Sequence, residues 1–155
     1  SQAACEGASV PSLGNAVQTR LGVGVPAPLS ESSIEETLRY EASLKLCTRY
    51  ALEDVEFAGI KFKKGEQAGL MLGAANRDPA RFANPDQFTP TRDPNPHVSF
   101  GAGIHFCIGA PLARLEMQIA FETLFKRLPK LALAAKPHYK DSYHFHGLEN
   151  LIVSF

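Results

Sequence analysis

The sequence predicts an α+β fold, in which helices are combined with small, separate pairs of strands. Apolar residues recur at helical spacing near residues 33–45 and 111–128, whereas residues 47–63 alternate between apolar and polar side chains. Residues 1–29 are rich in glycine, alanine, serine, valine and proline and show no periodicity. We therefore expect a poorly ordered lead-in followed by one domain at residues 30–155.

Composition, charge and cysteine content exclude several classes of function. Of the 155 residues, 45% are hydrophobic and 21% are charged, as is ordinary for a globular domain. The 16 basic and 16 acidic residues cancel, which argues against nucleic acid or an anionic membrane surface as the main partner. Three cysteines without metal-type spacing argue against a disulfide framework or a structural zinc site. No apolar run approaches the ~18 residues of a membrane span, and the N-terminus lacks the pattern of a signal peptide, so we expect a cytoplasmic protein.

The first helix is predicted from its capping signal. Ser32 with Glu35, or Ser33 with Glu36, has the spacing of a capping box, in which each side chain satisfies a free backbone N–H group. Apolar residues follow at helical spacing, so we expect a helix over residues 33–45.

The middle of the chain is expected to form short strands and then an irregular segment. The alternation at residues 47–63 is interrupted by Ala58-Gly59, which predicts short strands joined by a turn. The apolar residues 70–72 predict a further buried strand. Four prolines within residues 76–95 exclude a long regular element there, because proline removes a backbone donor and restricts the residue before it.

A long helix and a terminal hairpin are predicted for the C-terminal part. From Pro111 onward the apolar residues form a broad face, and proline is tolerated in the first turn of a helix. We expect a largely buried helix that ends by Pro129. A hairpin is expected around Gly147, with apolar and aromatic residues on both sides of it, namely Tyr143, Phe145, Leu151 and Val153.

The most informative motif is a glycine-rich loop that carries one cysteine, Phe-Gly-Ala-Gly-Ile-His-Phe-Cys-Ile-Gly at residues 100–109. The helix that follows directs free backbone N–H groups and the positive end of its dipole towards Cys107, which favours a thiolate. Gly101, Gly103 and Gly109 allow the backbone to approach a flat ligand closely. Cys107 is therefore a candidate metal ligand, and the alternative is a buried, inert cysteine.

The pattern Phe-x-x-Gly-x-His-x-Cys-x-Gly resembles the haem-binding loop of cytochrome P450. The resemblance continues through Ala110-Pro111-Leu112-Ala113-Arg114-Leu115-Glu116 and Ala74-Ala75-Asn76-Arg77-Asp78-Pro79. Residues 30–155 are similar to the C-terminal part of a soluble, bacterial-type P450. The resemblance implies an incomplete P450 fold, mainly helical with small β-sheets, and haem b as the cofactor.

The resemblance also implies what individual loop residues do. Cys107 would be the axial thiolate ligand of the haem iron, and Phe100 would pack beside the thiolate and limit the access of water. Gly101 and Gly109 would shape the loop against the cofactor.

Two cations fall where similar P450s bind the haem propionates. A carboxylate at the edge of an apolar cleft needs a paired donor, and Arg49 and His105 are the residues that the resemblance assigns to this role. Arg49 is the stronger candidate because its guanidinium is always charged and can bind in a bidentate manner.

A Glu-x-x-Arg pair precedes these residues on the predicted helix. Glu36 and Arg39 are similar to a pair that, in the family, belongs to a buried network bracing the haem loop. An arginine often completes that network at the position of Gln87, and we expect Arg92 to replace it here. This is a structural role, because a broken pair of buried charges would be costly.

The function implied by the resemblance is that of a haem-thiolate monooxygenase. Such an enzyme accepts electrons from a ferredoxin or flavoprotein and inserts one oxygen atom from O2 into a small organic substrate. The acid–alcohol pair of the family does not occur in the sequence, so no catalytic residue is predicted beyond the haem ligand. The alternative is a truncated, catalytically inactive remnant with weak or no haem binding. A stray metal at His144 and His146 is a minor further hypothesis.

Overall fold

The computed structural model describes residues 30–155, so the poorly ordered lead-in expected at residues 1–29 lies outside the described part. Three α-helices lie in that part: α1 (Glu31–Tyr40), α2 (Leu72–Ala75) and α3 (Ala110–Arg127). A 3₁₀ turn, Gly103–His105, precedes α3. The strands form antiparallel pairs, which confirms the predicted combination of helices with small sheets.

The sheets of the described chain are four separate two-stranded units. The strands are β1 (Cys47–Tyr50), β2 (Val55–Phe57), β3 (Ile60–Phe62), β4 (Gln67–Leu70), β5 (Ala132–Leu133), β6 (His138–Tyr139), β7 (Leu148–Asn150) and β8 (Val153–Ser154). β1 pairs with β4, β2 with β3, β5 with β8 and β6 with β7. The turn between β2 and β3 is at Ala58-Gly59, as predicted, and both residues have positive φ angles of 51° and 79°. Two successive positive φ angles suit the right-handed twist of a hairpin.

Helix α1 starts and ends earlier than the predicted range of 33–45. Ser30 is the N-cap, and its side-chain oxygen accepts from the backbone N–H of Ser33 at 3.3 Å. Neither proposed capping box forms, because Ser33 lies inside the first turn, where its hydroxyl is 2.8 Å from that of Ser30. Beyond Tyr40 the chain leaves the helix, and Leu44 forms an isolated bridge with Phe145.

The predicted strand at residues 70–72 is wrong. β4 ends at Leu70, and Leu72 begins α2, where it is buried. The backbone N–H of Gly73 donates to the carbonyl of Lys45 at 3.2 Å. This hydrogen bond attaches α2 to the chain that follows α1 and favours the helical turn.

The hydrophobic core surrounds α1. Ile34 and Tyr40 from the helix are buried together with Phe82 and Phe88 from the proline-rich segment. The ring of Phe88 packs edge-on against Tyr40, with 5.6 Å between the ring centroids. As expected, residues 76–95 contain no helix or strand, and they wrap around α1 as irregular chain.

Helix α3 has nearly the predicted bounds but not the predicted burial. Of its residues only Ala110 is fully buried, whereas Leu112, Leu115 and Ile119 are each more than half exposed. The expectation of a buried helix fails because one side of α3 faces α1, and no element in residues 30–155 covers these apolar side chains. Among the described helices, none combines the length and apolar character that crossing a membrane requires.

The C-terminal hairpin differs in its pairing from the prediction. β6 and β7 form the hairpin, which is closed by a hydrogen bond from the N–H of Lys140 to the carbonyl of Gly147. Tyr143 and Phe145 lie in the intervening loop and are not strand residues. The loop is held instead by the chain after α1, since the N–H of His146 donates to the carbonyl of Ser43 at 2.9 Å.

Candidate functional site

The cysteine loop is shaped by left-handed glycines and by short backbone hydrogen bonds. Gly101 and Gly103 have φ angles of 73° and 63°, a region that side chains disfavour. The N–H of Cys107 donates to the carbonyl of Phe100 at 2.9 Å, which folds the loop back on itself. Helix α3 starts three residues after Cys107, with Gly109 as its N-cap.

Cys107 is an exposed residue, and so are the apolar residues beside it. Ile104 is 97% exposed, Ile108 is 100% exposed and Phe106 is 50% exposed. A β-carbon added at Gly109 would lie 3.8 Å from the Cys107 sulfur, so a side chain there would touch the thiol. The loop therefore presents one soft donor atom within an apolar surface, which suits a flat apolar ligand that contains a metal.

The two predicted propionate contacts, Arg49 and His105, are both exposed residues. Arg49 lies on β1 and donates from Nη1 to the carbonyl of Thr48 at 2.8 Å. His105 ends the 3₁₀ turn two residues before Cys107. Within residues 30–155 neither side chain forms an ion pair with a carboxylate, so both are available to an anionic group. The structure shows no hydrogen bond that joins Arg49 to the described cysteine loop.

Glu36 is the centre of a buried network that brings together the three residues expected to brace the loop. Arg39 contacts Glu36 through Nε and Nη2 at 2.7 and 2.8 Å, and Arg92 Nε contacts it at 3.0 Å. The N–H of Thr89 and the Nδ2 of Asn95 also donate to this carboxylate, at 2.8 and 3.1 Å. Burial alone would raise the pKa of Glu36, but the hydrogen bonds outweigh it and hold the pKa below its usual value.

Arg39 extends this network into the irregular segment through backbone carbonyls. Its Nη1 donates to Asn76 at 2.8 Å and to Pro85 at 2.9 Å, and its Nη2 donates to Gln87 at 3.1 Å. Gln87 thus takes part through its carbonyl, while the second guanidinium comes from Arg92. Arg92 therefore occupies the role that we expected it to take over from an arginine at position 87.

Asn76 also belongs to this network, a role that its sequence motif alone did not predict. The side chain is fully buried, and its Oδ1 accepts from the N–H of Val98 at 2.8 Å. Its Nδ2 donates to the hydroxyl of Ser99 at 2.7 Å, and that hydroxyl donates to the carbonyl of Leu38. Asn76 therefore attaches the two residues before Phe100 to α1.

A second charged cluster, which the sequence reasoning missed, lies on the other side of the same helix turn. Glu35 binds Arg114 with both carboxylate oxygens, at 2.6 and 2.8 Å, and one of these oxygens lies 3.0 Å from Nε2 of His97. The hydrogen bond from Arg114 lowers the pKa of Glu35 despite partial burial. The available signal was the adjacent pair Glu35-Glu36, since consecutive carboxylates on a helix point in different directions.

His144 and His146 of the C-terminal part each contact neighbouring side chains of the protein. His146 Nδ1 lies 2.5 Å from the Glu41 carboxylate, and its ring stacks on Tyr139 with 4.1 Å between centroids. His144 packs its ring against Tyr143. Across the described residues there is no group of three or more side chains suited to holding a metal ion.

Comparisons with known proteins identify the family of this chain. A family model for Cytochrome P450 matches residues 27–141. The biotin biosynthesis cytochrome P450 of Bacillus subtilis is 50% identical over 125 residues, which cover 80% of this chain and 32% of the relative. The polyketide biosynthesis cytochrome P450 PksS of the same species is 45% identical over 127 residues, covering 79% and 31%.

A solved structure of a cytochrome P450 has a similar fold. The crystal structure of P450BioI in complex with hexadec-9Z-enoic acid ligated acyl carrier protein matches with a TM-score of 0.76 and 50% identity, covering 81% of this chain and 33% of that one. The chain thus spans about a third of the length of the relatives it matches. By its sequence, its fold and its cysteine loop, this chain belongs to the cytochrome P450 family.

Proposed function

We propose that this chain supplies the thiolate side of a haem-dependent monooxygenase, with Cys107 as the axial ligand of the iron. The observation that carries the proposal is that Cys107 is an exposed cysteine on a loop that Gly101 and Gly103 bend and that ends at the start of α3. The family's cofactor is haem b, which supplies oxygen activation when it is bound by a cysteine thiolate.

The residues around the thiol fit this cofactor. Cys107 lies directly before the N-terminal end of α3, where free N–H groups and the helix dipole would stabilise the negative charge of a thiolate ligand bound to iron. The exposed side chains of Ile104, Phe106 and Ile108 offer an apolar surface beside the donor atom. Gly109 keeps the sulfur accessible, since a β-carbon at this position would be in contact with it.

Three further residues would orient the cofactor and protect the ligand bond. Arg49 and His105 would bind the propionates, and their exposed side chains form no ion pair with carboxylates of the described chain. Phe100 would limit the access of water to the sulfur, and its carbonyl already accepts the N–H of Cys107. This hydrogen bond fixes the backbone of Cys107 relative to that of Phe100.

The Glu36 network would stabilise the position of this loop through contacts with the residues that precede it. Arg39 and Arg92 share the carboxylate of Glu36, and Arg39 also binds the carbonyl of Asn76, whose side chain holds the approach to the loop. Loss of any member would leave a buried group without its partner. This is a positioning role and requires no contact with substrate.

The whole enzyme would transfer one oxygen atom from O2 to a small organic substrate, with two electrons from a ferredoxin or flavoprotein. The names of the relatives place them in biotin and polyketide biosynthesis, in which the substrates are organic molecules. A catalytically inactive remnant is the second candidate. It is favoured by the exposed apolar side chains of Leu112, Leu115 and Ile119, which nothing in residues 30–155 covers.

Haem titration of the 155-residue chain tests the proposal. The protein is loaded with haem, reduced with dithionite under carbon monoxide and compared with Cys107→Ser. Cys47→Ser is the matched control, because Cys47 is the other free cysteine of the described chain and lies on β1. We expect a Soret band at the thiolate position that is lost in Cys107→Ser and kept in Cys47→Ser. Spectra of free haem in all three proteins would instead support the inactive remnant.

A further inference from the structure

We propose that Glu35, His97 and Arg114 form a second brace, separate from the Glu36 network, that clamps the cysteine loop at both of its ends. His97 precedes the loop and Arg114 follows it, and one carboxylate on α1 holds both. The bearing of this brace on a haem iron rests on the proposed function, whereas its action on the loop does not.

The carboxylate of Glu35 is shared between the two partners with good geometry. Arg114 Nε donates to Oε1 at 2.6 Å and Nη2 donates to Oε2 at 2.8 Å, which is a bidentate pair. His97 Nε2 reaches Oε2 at 3.0 Å, and its side chain is only 3% exposed. Charge-assisted bidentate pairs fix orientation more strongly than single hydrogen bonds do.

His97 acts in this brace as a neutral ring. The N–H of Ser99 donates to Nδ1 of His97 at 3.2 Å, so Nδ1 must carry a lone pair. The proton therefore lies on Nε2, which donates to Glu35. His97 thus connects α1 to the backbone directly before Phe100, and a second proton on the ring would break the bond to Ser99.

Arg114 connects the other end of the loop to the ring of Phe100. The guanidinium carbon of Arg114 lies 4.8 Å from the centroid of the Phe100 ring, within the range of a cation–π contact. The carbonyl of Phe100 accepts the N–H of Cys107. Arg114 thus contacts the residue whose carbonyl holds the backbone of Cys107, so the brace extends to the cysteine through Phe100.

The two braces act on different parts of the chain. Glu36 is bound by residues of the irregular segment, namely Thr89, Arg92 and Asn95. Glu35 is bound by His97 and Arg114, which enclose the loop. The Glu36 network thus reaches the loop indirectly, through Arg39 and Asn76, whereas the partners of Glu35 lie on either side of the loop itself, so an experiment can separate the two.

Amide hydrogen exchange in the full chain without haem tests the brace directly. In Arg114→Gln the amides of residues 98–109 are expected to exchange roughly tenfold faster, while those of β1 and β4 are unchanged. Arg77→Gln is the matched control, because Arg77 also pairs with a carboxylate, Asp86, at 2.8 Å and lies 4.1 Å from an aromatic ring, that of Tyr40. The control is expected to leave the loop amides unchanged.

A rescue and a second variant complete the test. Arg114→Lys keeps the charge and should recover part of the protection, and Glu35→Gln should reproduce the effect of Arg114→Gln from the other side of the pair. Unchanged loop exchange in both Gln variants would overturn the brace. Equal acceleration in β1 and β4 would also overturn it, because it would assign Arg114 to the stability of the domain as a whole.

Haem-loaded samples separate this inference from the proposed function. If the parent chain gives the thiolate Soret band with carbon monoxide, Arg114→Gln should convert a larger fraction to the form without thiolate ligation, and Arg114→Lys should reverse part of that change. If the parent gives no thiolate band, the proposed function fails, while the exchange experiment still decides whether the brace exists.

Discussion

Arg92 and Arg39 donate to the same carboxylate oxygen of Glu36, with Nε to Oε2 distances of 3.0 and 2.7 Å. Both Glu36 and Arg39 are fully buried, and Arg92 is nearly so. One carboxylate thus faces two guanidinium groups, and the second positive charge is balanced by carbonyl oxygens. Arg92 donates to the carbonyls of Ala83, Asn84 and Gln87.

This sharing predicts the cost of removing Arg92. Arg92→Gln leaves the Glu36–Arg39 pair intact but removes a charge-assisted hydrogen bond and several bonds to carbonyls, so we expect the free energy of unfolding to fall by about 1.5–3 kcal/mol. Urea denaturation measures this change. Lys63→Gln is the control, because the Lys63–Asp54 pair is exposed to solvent and should contribute little to stability. Equal effects of the two substitutions would contradict the role of Arg92.

Asn76 allows a second test of how the loop is attached. Asn76→Ala removes the acceptor for the N–H of Val98 and the donor to Ser99, and leaves buried polar groups without partners. We expect a loss of about 1–3 kcal/mol in unfolding free energy. Asn150→Ala, at an exposed position on β7, should change stability by less than about 0.5 kcal/mol. A loss as small as that of the control would show that Val98 and Ser99 find other partners.

Local motifs were predictable from the sequence, and long-range partners were not. The loop around Cys107 and the bounds of α3 follow from neighbouring residues, whose glycines and apolar spacing are visible directly. The start of α1 was misplaced because three serines compete for the N-cap and only packing selects Ser30. Glu35 was missed as a brace because its partner Arg114 is 79 residues away. Apolar spacing in α3 likewise predicts that a face should be covered, but it does not say what covers it.

The stability of the domain should fall in two steps as the pH is lowered. Burial lowers the pKa of His97 below its usual 6.5, against the opposing effect of Glu35. The stabilisation that the neutral His97 ring contributes is therefore fully present above pH 6.5. It is lost as the pH falls from 6.5 through the lower pKa that His97 has in the folded state. The pKa values of Glu35 and Glu36 lie below the usual 4.5, so their contribution is lost in a second window below that pH.

Urea midpoints measured across this pH range would separate the two steps. In His97→Gln the first decrease, which begins near pH 6.5, is expected to disappear, and the second decrease below pH 4.5 should remain. The second decrease persists because the carboxylates still lose their charge-assisted hydrogen bonds when they are protonated. A first decrease of unchanged size in His97→Gln would assign it to another group.

Gly109 offers a substitution that should alter the thiol without unfolding the domain. Gly109 has a helical φ of −81°, so alanine fits its backbone, and the added β-carbon would meet only the Cys107 sulfur, at 3.8 Å. We expect a change in unfolding free energy below about 0.5 kcal/mol. Alkylation of Cys107 by iodoacetamide, followed by mass spectrometry with Cys47 as the internal reference, should slow severalfold because the methyl group shields one side of the sulfur. Gly147→Ala, which adds a β-carbon in open space, should leave the rate ratio unchanged. An unchanged ratio in Gly109→Ala would mean that the sulfur turns away from the helix N-terminus, and the thiolate site would then need a different geometry.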